Sequence, residues 1–180
     1  ACGSSAEVSQ DSAREPIDET ENAGTLLPTM GESEFVGDMG EQRQWLTSVV
    51  LDDCRVFVAG GNSPTWAAGS VATAEVWTSG PGTWADTGEM SDARFSNGLV
   101  KLSDGRVMAI GGRGIKNHAL NTAEIWDPQT DEWTMVDPMN HAHEKMPVVV
   151  LEDGPVVVIG GANHEYEHLP TTVIFDPKSG

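Results

Sequence analysis

Three stretches of the chain share one pattern of apolar and polar positions. Each has a short apolar run, a polar turn and a second apolar run that ends in a glycine pair. They are 49–61 (VVLDDCRVFVAGG), 99–112 (LVKLSDGRVMAIGG) and 148–161 (VVVLEDGPVVVIGG). Short apolar runs joined through Asp and Gly predict β-hairpins, because those residues supply the positive φ that tight turns require.

The hairpins belong to a longer repeat that fills most of the chain. The glycine pairs lie 51 and then 49 residues apart. The segment TAEVW (73–77) returns as TAEIW (122–126) and as TTVIF (171–175), and Trp84 returns as Trp133. Self-similarity at a fixed period is the signature of a repeat architecture.

Each repeat predicts four short strands. The first covers 45–51, 97–102 or 146–151, and the second ends in the glycine pair. The third is the TAEVW segment, and the fourth begins at Trp84 or Trp133. Such units cannot bury both of their faces alone, so they must stack side by side. The predicted fold is all-β, a partial β-propeller of about three blades.

On these residues the chain resembles the kelch-repeat family. Its hallmarks are a hydrophobic strand ending in Gly-Gly, followed by an aromatic residue and a Trp at a fixed distance. The pairs here are Trp77 with Trp84 and Trp126 with Trp133, each seven residues apart. The DGR turn at 104–106 also fits, especially bacterial kelch proteins. The resemblance covers about 43–180 and implies a propeller whose remaining blades belong to a longer chain.

The repeat and the composition divide the chain into segments. Residues 1–30 are polar and acidic and predict a disordered tether, and 31–41 are expected to supply the fourth strand of a closing blade. Three kelch blades follow at 42–91, 92–140 and 141–180, the third truncated before its fourth strand. An open arc of this kind is expected to expose strand edges and apolar faces at its ends.

The charge of the chain limits its partners. The formal net charge is -18, which disfavours nucleic acid and anionic bilayers, since both require an excess of Lys and Arg. No apolar run is long enough to span a membrane. Contact with a membrane is therefore expected only through a lipid at the N-terminus.

The first five residues, ACGSS, resemble the cleavage point of a bacterial lipoprotein. The resemblance implies that the chain starts inside a longer product, that Cys2 carries a lipid, and that the flexible tether follows it. The implied location is the bacterial cell envelope, in the periplasm or at the outer-membrane surface. The alternative is an arbitrary start with an incidental cysteine, and a disulfide between Cys2 and Cys54 is also open.

Two sets of residues are candidates for binding. Trp66 lies in the loop after the first glycine pair, where an indole suits sugar stacking. Arg43, Arg94 and His143 share one repeated position before the first strand, where they either face a ligand or make a hydrogen bond or ion pair between blades.

The five histidines are candidates for a metal site, because loops after the second and fourth strands of a meander emerge on the same face. Together with nearby glutamates they offer the ligands that zinc prefers. They are His118, His141, His143, His164 and His168.

The leading functional hypothesis is a binding or scaffold module that recognises protein or glycan through its blade loops. No catalytic residue and no cofactor are predicted from the residues present. The alternative is part of a galactose-oxidase-like or sialic-acid-epimerase-like kelch enzyme. The galactose oxidase resemblance implies copper held by two Tyr and two His, with one Tyr cross-linked to Cys, whereas this chain has one tyrosine, Tyr166. A purely structural fragment is the third hypothesis.

Overall fold

The computed structural model describes residues 35–64, 69–79 and 82–177, and this part of the chain is all-β. Three antiparallel sheets follow one another in sequence, and we call them blades I, II and III. Blade I contains β1 (Thr47–Val50), β2 (Val56–Ala59), β3 (Ala74–Thr78) and β4 (Thr83–Asp86). Blade II contains β5 (Gly98–Lys101), β6 (Val107–Ile110), β7 (Ala123–Asp127) and β8 (Glu132–Val136). Blade III contains β9 (Val148–Val150), β10 (Val156–Ile159) and β11 (Thr172–Phe175).

Within each blade the strands pair in chain order, as a meander. The predicted strands are therefore confirmed in number, order and position, with ends a few residues shorter than the sequence pattern indicated. The described residues also include one short 3-10 turn, Ile115–Asn117. No helix among them is both long and apolar enough to cross a membrane.

The blades pack face to face because successive strand residues point to opposite sides of a sheet. Between blades I and II, Phe57 packs against Trp126 with ring centroids 4.4 Å apart. Trp126 is one of the repeated tryptophans, and its burial supports packing rather than ligand contact. A second cluster, which includes Met108 and Val156, joins blade II to blade III.

The hairpin β5–β6 is the only one among the described residues with a packed blade on both sides. All four residues of β6 are buried, as are three of the four in β5. The middle hairpin therefore forms the centre of the core.

The glycine pairs mark the closest approach of neighbouring blades. Gly111 and Gly112 both have positive φ, at 59° and 94°. A Cβ on Gly111 would lie 2.5 Å from the carbonyl oxygen of His143, closer than real Cβ contacts come. The amide of Gly112 donates to that same carbonyl at 2.8 Å, and Gly61 makes the equivalent bond to Arg94. The predicted crowding at these glycines is confirmed, and its cause is a backbone hydrogen bond between blades.

A second set of backbone bonds links the blades just before their first strands. Trp45, Ser96 and Lys145 occupy one repeated position, and all three have positive φ near 50°. Ser96 donates its amide to the carbonyl of Trp45, and Lys145 donates to the carbonyl of Ser96, both at 2.9 Å. Consecutive blades are therefore joined by a chain of backbone hydrogen bonds at one end of the sheets.

Blade III has an apolar face that no described residue covers. Val149, Leu151, Ile159 and Ile174 are each more than two-fifths exposed. At the equivalent positions of blade II, Leu102, Ile110 and Ile125 are buried against blade III. The predicted exposure of an end face is therefore observed. A further strand or blade would cover this face.

Two segment predictions stay open. Residues 1–30 lie outside the described residues, as do residues 31–34 of the predicted closing strand at 31–41. Its described part, 35–41, is irregular backbone, and the sheet that it was predicted to join is not one of the three blades.

We expect Gly111→Ala to destabilise the fold by more than about 3 kcal/mol, because the new methyl group meets backbone and the residue keeps a left-handed conformation. Gly105→Ala is the control. It also has positive φ, but its Cβ would meet only the flexible end of Asp52, so its cost should be about 1 kcal/mol. Urea unfolding followed by tryptophan fluorescence measures both. Equal losses in the two variants would contradict this account of the glycine pair.

Candidate functional site

A buried ion pair lies inside each of the first two blades. Arg43 donates to Glu75 at 2.5 Å, and Arg94 donates to Glu124 at 2.7 Å. All four side chains are at most 1% exposed. Each glutamate also accepts two backbone amides from the segment that leads into the first strand, so the pair ties that segment to the third strand.

The hydrogen-bond partners of the repeated arginine side chain lie in its own blade. Besides Glu124, Arg94 donates to the carbonyls of Gly111 and Thr122, at 2.9 and 3.1 Å, and to that of Asp92. Burial lowers the pKa of Arg94 and the charge of Glu124 opposes that shift. The alternative of a structural contact at this position is supported, with one correction. The side chain bonds within its blade, whereas the backbone reaches the neighbouring blade: the amide donates to Val71 and the carbonyl accepts from Gly61.

Blade III lacks the ion pair. His143 replaces the arginine, and Val173, at the position of Glu124, replaces its carboxylate partner. His143 is fully buried, and its Nδ1 lies 2.8 Å from the carbonyl oxygen of Gly160. Its Nε2 is buried without a hydrogen-bond partner in the described structure. None of the three repeated residues, Arg43, Arg94 and His143, therefore presents a free polar group at the surface.

Bridges from Glu144 to Ala162 and on to His168 bring the loops before and after the first hairpin of blade III together. His118 and His164 have ring centroids 6.3 Å apart, and His141 and His164 line a cavity of about 330 Å³. His168 is exposed in the loop before β11. No three His, Cys, Asp or Glu side chains in the described part of the chain are close enough to share a metal ion.

A pocket lies at the same end of the sheets, and residues of all three blades line it. It has a volume of about 390 Å³. Blade I supplies Trp45, and blade III supplies Lys145 and Tyr166. The contributions of blade II are Phe95, Ser96, Arg113 and Asn117. We call this the inter-blade pocket.

One wall of the pocket is the indole of Trp45, which packs against a buried aromatic ring. Trp45 stacks on Phe95 with ring centroids 5.5 Å apart and an angle of 28° between the planes. Phe95 is buried, whereas the indole of Trp45 is 58% exposed. Because Trp45 has positive φ and its carbonyl bonds to Ser96, its backbone is fixed as well. The pocket thus offers a rigid, exposed aromatic face.

The opposite wall is built around Arg113. Its guanidinium makes two bonds to the buried carboxylate of Glu144 and one to the carbonyl of Asn117. The hydrogen bonds to Glu144 raise the pKa of Arg113. The guanidinium carbon lies 4.1 Å from the ring centroid of Tyr166, a cation–π contact, and the Tyr166 hydroxyl lies 3.2 Å from Asn117 Nδ2. Tyr166 is therefore held in place and still 55% exposed.

Sequence reasoning did not find this pocket. Its residues occupy repeated positions filled by different side chains in each blade, such as Trp45, Ser96 and Lys145. Trp45 carried one signal, since it lies outside the repeated tryptophan pairs. Trp66 and Cys2, the candidates for sugar stacking and lipidation, lie outside the described residues.

Comparison with known proteins gives a consistent assignment. The family model named "Kelch motif" matches residues 102–140, which hold β6, β7 and β8. A fungal alcohol oxidase of the AA5 family, solved in complex with copper, superposes with a TM-score of 0.64 at 20% identity. The match covers 75% of this chain and 31% of that protein, so this chain spans about a third of its length. No curated protein matches the sequence significantly.

The three meander sheets and their packing define a set of β-propeller blades. The family match over residues 102–140 and the repeated Gly-Gly, aromatic and Trp positions support kelch-type blades in this chain.

The copper ligands of an oxidase do not fit the described residues. Tyr166, the single tyrosine, lies beneath Arg113 rather than beside a pair of histidines. Cys54 lies in the β1–β2 turn and is disulfide-bonded.

We expect Arg94→Met to destabilise the protein by about 3–5 kcal/mol, since it leaves the buried carboxylate of Glu124 uncompensated. The double variant with Glu124→Leu should recover part of that loss, because both buried charges are then gone while the amides of Ser91 and Asp92 lose their acceptor. Arg106→Met is the control, since its pair with Asp104 is exposed and should contribute less than about 1 kcal/mol. Denaturant unfolding of the four proteins tests the cycle, and a double variant no more stable than Arg94→Met would refute it.

Proposed function

We propose that this chain is a ligand-binding module of a kelch propeller and that the inter-blade pocket is its binding site. The observation that carries the proposal is the convergence of three blades on one rigid pocket. Two exposed aromatic rings, Trp45 and Tyr166, lie there beside polar side chains on positions that the fold fixes. Ligand sites in proteins typically combine apolar walls with a few well-placed polar groups.

Binding is favoured over catalysis at this site. Arg113 is the most constrained polar group in the pocket, and its bonds to Glu144 hold it as a positioning and charge-bearing group. No described side chain there is arranged as a nucleophile with an adjacent base, as covalent catalysis requires.

The second candidate, an oxidase-like enzyme, draws support from the structural likeness to the AA5 alcohol oxidase. It requires that the catalytic residues come from other parts of a longer protein.

The partners of this module are proposed to be a protein or a glycan on the pocket face and further blades on the open face of blade III. Exposed Val149, Ile159 and Ile174 match positions that bury another blade elsewhere in the chain.

We expect Trp45→Ala to abolish ligand binding while leaving the fold intact, because the indole is 58% exposed and its loss removes one wall of the pocket. A glycan array and a peptide array probed with the full chain supply the ligand. Trp84→Ala is the matched control, an indole removed from the outer strand of blade I, away from the pocket. Loss of binding in Trp84→Ala alone would place the site elsewhere.

We also propose that Cys2 is lipidated and tethers the protein to a bacterial membrane, with the kelch module in the periplasm or at the outer-membrane surface. The support is the ACGSS start followed by a polar, acidic segment. A lipid thioether and a disulfide would compete for the Cys2 thiol, so the two states exclude one another.

Expression of the native gene in a bacterial host with radiolabelled palmitate tests the anchor. We expect label on the protein, loss of label in Cys2→Ser, and retention in Cys54→Ser. Absence of label in the unmodified protein would exclude the lipoprotein.

A further inference from the structure

We infer that the inter-blade pocket binds a pyranose sugar that carries a carboxylate, such as a hexuronate. The inference rests on the proposed binding function and specifies its ligand. Three observations carry it: the distribution of unpaired cations, the absence of acids from the pocket lining, and the closed backbone at the pocket wall.

Among the described residues, the two cations without a carboxylate partner lie in or next to this pocket. Eight Lys and Arg side chains lie in the described residues, and six of them have a carboxylate within 4.0 Å. The two that have none there are Lys116 and Lys145. Lys145 lines the pocket and is exposed, and Lys116 is exposed next to Asn117, which also lines it. Neither ammonium group is neutralised by a described carboxylate, and Lys145 Nζ lies 5.4 Å from the ring centroid of Tyr166. In a chain of net charge -18, this is a local reversal of sign.

The pocket lining contains no carboxylate. Glu144 lies behind Arg113 and is fully buried. Glu165 and Glu167 flank Tyr166 but turn to their own loop, where Glu167 accepts from Asn163 Nδ2 and Glu165 lies 3.6 Å from His164. A cavity in blade I shows the contrast, since it is lined by Glu41, Asp86 and Glu89. An anionic group is therefore accommodated in the inter-blade pocket without facing a like charge.

The side chains suit a sugar rather than a peptide. Peptide recognition in an extended form relies on free backbone groups, and here the peptide groups of Trp45, Ser96 and Lys145 already bond to each other. Recognition must therefore come from side chains. The indole of Trp45, which stacks on Phe95, offers a flat apolar face to the C–H side of a pyranose ring. Ser96 and Asn117 offer hydrogen bonds to hydroxyl groups, and Lys145 a charge for a carboxylate.

The test compares two sugars that differ in one group. The full chain is titrated with glucuronate and with glucose, and binding is followed by calorimetry and tryptophan fluorescence. We expect saturable binding with glucuronate at least about fivefold tighter than glucose, and this preference should fall as ionic strength rises. An acidic peptide of Asp and Glu is the third probe and should bind more weakly than glucuronate.

Variants separate the stacking from the charge. Trp45→Ala should remove binding of both sugars, and Lys145→Gln should bring glucuronate to the level of glucose without changing glucose. Lys101→Gln is the matched control, because Lys101 pairs with Asp52 on blade I, outside the pocket lining, and it should leave both affinities unchanged. Unchanged thermal unfolding in all three variants confirms that the fold is retained.

The outcomes distinguish the two levels of the proposal. Equal affinity for glucuronate and glucose, or an unaltered preference in Lys145→Gln, overturns the carboxylated sugar and leaves a binding pocket. Tighter binding of the acidic peptide, lost in Trp45→Ala, has the same consequence and assigns the pocket to protein partners. If none of the three probes binds and no array ligand depends on Trp45, both the inference and the binding function fail.

Discussion

The close contact of backbone at each glycine pair is the constraint on which the rest of this structure depends. Gly61 and Gly112 donate their amides to carbonyls of the following blade. Atoms of the surrounding residues leave no room for a Cβ at either glycine. The residue that accepts the bond is Arg94 in one case and His143 in the other, so the contact also fixes the segment before the next first strand. That segment carries Ser96 and Lys145, and through them the wall of the inter-blade pocket.

The periodic parts of this architecture were predictable from sequence, and the reason is physical. Strand pairing, the glycine contact and the tryptophan positions are requirements of every blade, so they recur and can be counted. The ion pair of Arg94 with Glu124 was within reach too, because both residues recur one repeat away as Arg43 and Glu75. It was assigned between blades because sequence spacing does not reveal that the two residues share a sheet.

The pocket was not predictable for the opposite reason. A binding site uses the positions that the repeat leaves free, and there each blade supplies a different side chain. Trp45, Ser96 and Lys145 look unrelated until the structure places them on one chain of backbone bonds. Tyr166 and Arg113 come from loops of different blades and meet only in three dimensions. The histidines, by contrast, were conspicuous in the sequence and are not gathered into a metal site in the described residues.

The exchange of the Arg–Glu pair for His143 and Val173 has a consequence for how the molecule fluctuates. Blade III lacks both the buried pair and a covering blade, so its segment before β9 should open at lower free energy than the equivalent segments elsewhere. That segment holds Lys145, and the same blade holds Tyr166. A ligand that contacts Trp45, Lys145 and Tyr166 together would link blade III to blade I. Ligand binding would then stabilise the segment before β9, so the order of that segment would rise with the occupancy of the pocket.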